Sequence, residues 1–109
     1  MMHVQELETM KRHGLHVLVI VLNDGAYGSE VHKLKADEVS YDGSVFGRPD
    51  IAAVGKGFGL DGQTITEIGQ MEDHFQEFMQ SESPAIWDVH ISDQIASPQI
   101  LKAHKAAHA

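Results

Sequence analysis

The chain has 109 residues, eight basic and sixteen acidic, giving a formal charge of −8, and it has no cysteine. That length buries one core of modest size, and the acidic balance argues against nucleic acid or an anionic membrane surface as a partner. The lack of cysteine removes disulfides and thiol nucleophiles and fits a cytoplasmic protein. The longest apolar run, residues 15–22, falls well short of the ~20 residues a membrane-spanning helix needs. Residues 1–14 are too charged for a signal peptide.

In chain order, Val4, Leu7 and Met10 recur at helical spacing among Glu6, Glu8, Lys11 and Arg12, so residues 3–13 predict an amphipathic helix stopped by Gly14. Residues 15–22 are a continuous apolar run, the pattern of a parallel strand buried on both faces. The run stops on Asn23-Asp24-Gly25, and in open α/β sheets ligands bind just past the carboxyl ends of the strands. A helix is expected over 26–35, with Tyr27, Val31 and Leu34 on one side. Residues 36–48, with Gly43 and Gly47, lack a period and predict an irregular loop. Pro49 suits the first turn of a helix through Ile51, Val54 and Phe58.

A short strand over 63–65 precedes a helix capped by Thr66, with Ile68, Met71, Phe75, Phe78 and Met79 apolar at helical spacing and the last four expected in the core. After Ser83-Pro84, residues 85–91 around Trp87 predict a second buried strand. Ser97-Pro98 supplies a cap and first turn for a last helix at about 98–108. Strands alternating with helices define an α/β fold, a three-layer α/β/α arrangement with a mostly parallel sheet, here in one domain over residues 1–109.

The segment Leu22-Asn23-Asp24-Gly25-Ala26-Tyr27-Gly28 resembles the second half of the thiamine diphosphate signature, a Gly-Asp-Gly followed further along by Asn-Asn or Asn-Asp. With the flanking chain as far as about Ser92, the likeness is to the C-terminal cofactor-binding domain of the acetolactate synthase and benzoylformate decarboxylase group. The resemblance implies a thiamine diphosphate- and Mg²⁺-dependent enzyme of 2-oxo acids, a decarboxylase or carboligase in the lyase or transferase classes, working as a homo-oligomer. It implies that Asn23, Asp24, Gly25, Ala26, Tyr27 and Gly28 surround the cofactor. Asp24 would ligate the metal through its carboxylate and Ala26 through its backbone carbonyl. Mg²⁺ takes such hard oxygen donors together with phosphate oxygens, and a glycine between the two lets the chain turn tightly enough to bring both to one ion. A helix starting beside Tyr27 and Gly28 would aim its free N–H groups at the diphosphate.

No Gly-Asp-Gly occurs in the 109 residues. The resemblance therefore implies a partial domain, without the first metal carboxylate and with no assignable catalytic residue, inactive alone and weak or lacking in cofactor binding. The alternative is a small α/β interaction or regulatory module that kept the fold and lost the cofactor. Loss of the strand beside residues 15–22 would leave an apolar edge that templates self-association. Of the eight histidines, His104 and His108 are spaced to share a metal on the last helix, but no further ligand completes such a site. His16 and His90 are expected as packed or hydrogen-bonded neutral rings, His32 as a solvent-facing residue, and Trp87 as sheet packing.

Overall fold

Helices and strands alternate as the sequence suggests, in the order α1 (Glu6–Arg12), β1 (Leu18–Asn23), α2 (Gly28–Ala36), a 3-10 turn (Asp42–Ser44), α3 (Ile51–Gly57), β2 (Asp61–Ile65), α4 (Gln70–Gln80), β3 (Ala85–His90) and α5 (Pro98–Ala107). The computed structural model describes residues 2–107. Two compact units form: one from the chain up to Leu22 with Asp50–His90, the other from Asn23–Pro49 with the chain from Ile91 onward.

The first unit holds the sheet, in the order β1-β3-β2. β2 and β3 run parallel, in register from Asp61 opposite Ala85 to Ile65 opposite Val89. β1 is parallel too: Val17 C=O accepts from Ala85 N–H at 3.0 Å and Asn23 C=O from Ile91 N–H at 3.1 Å, the same offset at both ends. Central β3 is correspondingly buried from Ala85 through Asp88, and Trp87, 2% exposed, is sheet packing as expected. Leu7, Met10, Ile51, Leu60 and Ile86 form the core, with Val4, Val19, Val21 and Val54 packed against it. α1 presents Leu7 and Met10 inward, with Glu6 and Glu8 in its first turn and Lys11 and Arg12 in its last, as the helix dipole favours.

α3 lies close on β3. A Cβ added at Gly55 would collide with Cγ2 of Ile86, so glycine is required by proximity at this point. The helix is capped by Asp50, whose Oδ1 accepts from Ala53 N–H at 2.8 Å; Pro49 therefore precedes the helix and is not in its first turn. Buried Asp88, 1% exposed, takes the Ile51 N–H at 3.1 Å and has His90 Nε2 at 3.6 Å. His16 stacks on Phe78 with centroids 4.2 Å apart, its Nε2 2.9 Å from the Phe78 carbonyl oxygen.

Several expectations are corrected. β1 is not buried on both faces: Val19 and Val21 meet the core, while Ile20 and Leu22 are 45% and 65% exposed. Successive strand side chains alternate between faces, and only one face here is covered. α4 has the predicted apolar stripe, yet it buries no residue, and Phe75 and Met79 are 45% and 56% exposed. Thr66 does not cap α4; the Gln70 side-chain oxygen instead accepts from the Thr66 and Glu67 N–H groups at 3.0 and 3.1 Å, and the helix begins at Gln70.

In the second unit α2 packs against α5 and the 3-10 turn. Its Val31 is buried, Leu34 and His32 are half-buried, and Tyr27 is exposed just ahead of the helix. Ser97 Oγ accepts from Ile100 N–H at 3.3 Å, the expected cap of α5. The pairing of His104 with His108 lies outside what is described, His108 altogether and His104 at its side chain.

The Gly55 contact makes a direct test of the packing. Gly55→Ala should lower unfolding stability by about 1–3 kcal/mol despite alanine's better helix propensity. Adding Ile86→Ala removes the colliding methyl, so in urea denaturation the double variant should lose less than the sum of the two single losses.

Candidate functional site

The candidate residues occupy one turn of the second unit. Asn23 is the last residue of β1 and is 7% exposed. Its Oδ1 accepts from Gly25 N–H at 3.1 Å, an Asx turn that reverses the chain without a further ladder bond. Gly25 then takes φ +77°, the left-handed region open to glycine. A Cβ there would sit 3.1 Å from Arg48 Cγ and 3.2 Å from the Gly47 carbonyl carbon, so conformation and space both call for glycine.

Asp24 repeats the Asx pattern one residue later. Its Oδ1 accepts from Ala26 N–H at 3.1 Å, and its Oδ2 lies against Gly28, where an added Cβ would occupy the same space. Gly28 opens α2, so the carboxylate rests over the positive end of that helix. Glu30 in the first turn pairs with Lys33 at 3.0 Å on the surface, where such pairs contribute little.

Ala26 forms an isolated antiparallel bridge with Val45. The bonds flanking it run from Tyr27 N–H to Ser44 C=O at 2.8 Å and from Phe46 N–H to Gly25 C=O at 3.2 Å. In this arrangement the paired residue's own N–H and C=O face away from the partner strand. The Ala26 N–H points to Asp24, so the Ala26 carbonyl faces the same side as the Asp24 carboxylate. Two hard oxygen donors thus share one side of the turn, and a carboxylate accepting one N–H keeps capacity for further partners. Among the described residues no cluster of three or more His, Cys, Asp or Glu could hold a metal.

Residues 36–48, expected as an irregular loop, contain the 3-10 turn and then brace the site. Ser44 and Phe46 bond to its backbone as described, Asn23 Nδ2 donates to Pro49 C=O at 3.3 Å, and Arg48 Nε donates to Asn23 C=O at 3.3 Å. Tyr27 packs edge-on to Phe46 with ring centroids 5.0 Å apart. Sequence reasoning missed these partners because most of them contribute backbone groups, which leave no mark on residue identity. A cavity of about 370 Å³ in the first unit is lined by Lys56, Gln63, His74, Glu77, Phe78 and Trp87 among others, and by none of the candidate residues.

A parallel strand that ends in an amide and a carboxylate, a glycine turn and the start of a helix together define an α/β domain with its candidate site at the carboxyl end of a strand. Residues 1–89 match the family described as thiamine pyrophosphate enzyme, C-terminal TPP binding domain, and the chain belongs to that family. It is 30% identical over 94 residues to the acetolactate synthase large subunit of Parasynechococcus marenigrum, an alignment covering 84% of this chain and 15% of that protein. Likeness to the acetolactate synthase isozyme 2 large subunit of Escherichia coli is also 30%, over 95 residues, with 85% and 17% covered. The chain thus spans less than a fifth of the length of the curated relatives it matches. No helix among the described residues is long and apolar enough to cross a membrane.

Proposed function

We propose that the turn from Asn23 to Gly28 holds the divalent cation and diphosphate of thiamine diphosphate, within a cytoplasmic enzyme that cleaves or forms a C–C bond next to the carbonyl of a 2-oxo acid. The observation that carries this reading is the shared orientation of the Asp24 carboxylate and the Ala26 carbonyl, tied by the 3.1 Å bond between Asp24 Oδ1 and Ala26 N–H. Oxygen donors of this kind are what Mg²⁺ takes, and the ion commonly fills its remaining positions with phosphate oxygens and water. The start of α2 beside Gly28 favours negative charge from the diphosphate. When bound, the cofactor supplies the carbanion-stabilising chemistry itself; the residues of this turn bind and orient it. Within this reaction class, similarity to acetolactate synthase large subunits favours acetolactate synthase-like activity.

With two protein oxygens at the ion, the 109 residues alone are expected to bind weakly and to lack turnover. Isothermal calorimetry with Mg²⁺ and thiamine diphosphate should give Mg²⁺-dependent binding with Kd in the range of roughly 10 μM to 1 mM, corresponding to about −7 to −4 kcal/mol. Asp24→Ala should abolish it while leaving the far-UV circular dichroism unchanged. An unaltered affinity in that variant would take Asp24 out of the site, and no binding by the parent chain would favour an interaction module without cofactor.

Self-association is a second part of the proposal. β1 is a sheet-edge strand, it carries no proline or lysine, and its Ile20 and Leu22 are exposed; edges of this kind pair readily. Light scattering over a dilution series should report a dimer or larger species at micromolar concentration, and a stable monomer there would count against it.

A further inference from the structure

We propose that Arg48 is the positioning residue of the turn from Asn23 to Gly28, fixing the place of Asp24 and Ala26 without itself touching the ligand. Three contacts argue it. Arg48 Nε donates to Asn23 C=O at 3.3 Å, and Arg48 Nη2 donates to Ile91 C=O at 2.8 Å. Ile91 in turn donates its N–H to the same Asn23 oxygen at 3.1 Å. One guanidinium therefore closes a ring of hydrogen bonds over the backbone of Asn23 and Ile91, a geometry that needs the planar fork of arginine and two of its donors at fixed angles. Its stem makes the third contact: Arg48 Cγ would stand 3.1 Å from a Cβ at Gly25, so the methylenes lie directly against the glycine. Arg48 thus grips the residue before Asp24 and the residue after it.

The surroundings support a holding role. Asn23 Nδ2 donates to Pro49 C=O at 3.3 Å, and Phe46 N–H to Gly25 C=O at 3.2 Å, so the residues on either side of Arg48 are pinned to the same turn. Asp93 has its carboxyl held below the usual range, first by the 2.6 Å hydrogen bond from Gln94 and to a smaller extent by the charges of Arg48 and Lys35. A loop arginine that ties two carbonyls and packs on a glycine has little freedom left to act as a ligand to a diphosphate. Its effect on binding, which rests on the cofactor reading above, comes through the geometry of the turn.

The test uses Arg48→Met, which keeps the stem against Gly25 and removes the fork, and Arg48→Lys, which keeps charge with a single donor centre. Amide hydrogen exchange is read at Gly25 and Ala26, with Val19 and Ile86 of the first unit as internal standards. The methionine variant should exchange at least about tenfold faster at Gly25 and Ala26, the effect of losing hydrogen bonds from a charged donor, with the standards unchanged and the lysine variant intermediate. Exchange at wild-type rates in the methionine variant overturns the proposal. Should that variant fail to fold, the lysine variant decides, intermediate exchange supporting the proposal and wild-type exchange overturning it. A titration with Mg²⁺ and thiamine diphosphate then separates the two readings. A loosened turn with no response to cofactor in either protein leaves Arg48 as the brace and overturns the cofactor reading. A loosened turn with undiminished cofactor affinity overturns Arg48 as a positioning residue for that site.

Discussion

The carbonyl of Asn23 is the point on which the candidate site depends. It closes β1, accepts from the Ile91 N–H at 3.1 Å and from Arg48 Nε at 3.3 Å, and belongs to a residue only 7% exposed. The side chain of the same residue takes the Gly25 N–H and donates to the Pro49 carbonyl. Buried polar groups need partners, so an apolar residue at this position would take the side-chain partner from both the Gly25 N–H and the Pro49 C=O. These four bonds fix the point at which the chain leaves the sheet towards Asp24.

How much of this could be read in the sequence depended on whether the signal was local. Gly25 between Asn23-Asp24 and Ala26 announced a turn because a positive φ favours glycine, and the structure gives it φ +77°. Ser97-Pro98 announced the start of α5, and Trp87 its strand, through residue types that rarely serve elsewhere. The brace from Ser44 to Pro49 left no such trace: Ser44, Phe46 and Pro49 act through backbone N–H and C=O groups that every sequence carries. Arg48 is one cation in a loop until its partners are known. The start of α3 was misread by two residues because proline drew attention from Asp50, although an aspartate three positions before the N–H it caps is a readable pattern.

Burial was legible only as a pattern. The apolar run of β1 and the stripe of α4 identify faces able to pack, but periodicity carries no information about whether a partner layer is present. Val19 and Val21 find α1 and α3 residues in the core, whereas Ile20, Leu22, Phe75 and Met79 remain largely exposed. The acidic Asp24 adds a distinct constraint: its negative charge strengthens attraction for a cation, yet the same charge repels a diphosphate that arrives without one. Cofactor binding at this turn is therefore expected to require the ion first or together with the diphosphate.

The most direct test of the site replaces Mg²⁺ with Mn²⁺, which takes similar oxygen ligands, and follows paramagnetic broadening of the backbone amides in the presence of thiamine diphosphate. Asp24 and Ala26 as joint ligands predict that the amides of residues 24–28 broaden first and that Asp24→Ala removes the effect. Broadening centred on other residues, such as the histidines towards the carboxyl terminus, with the turn left sharp, would contradict it.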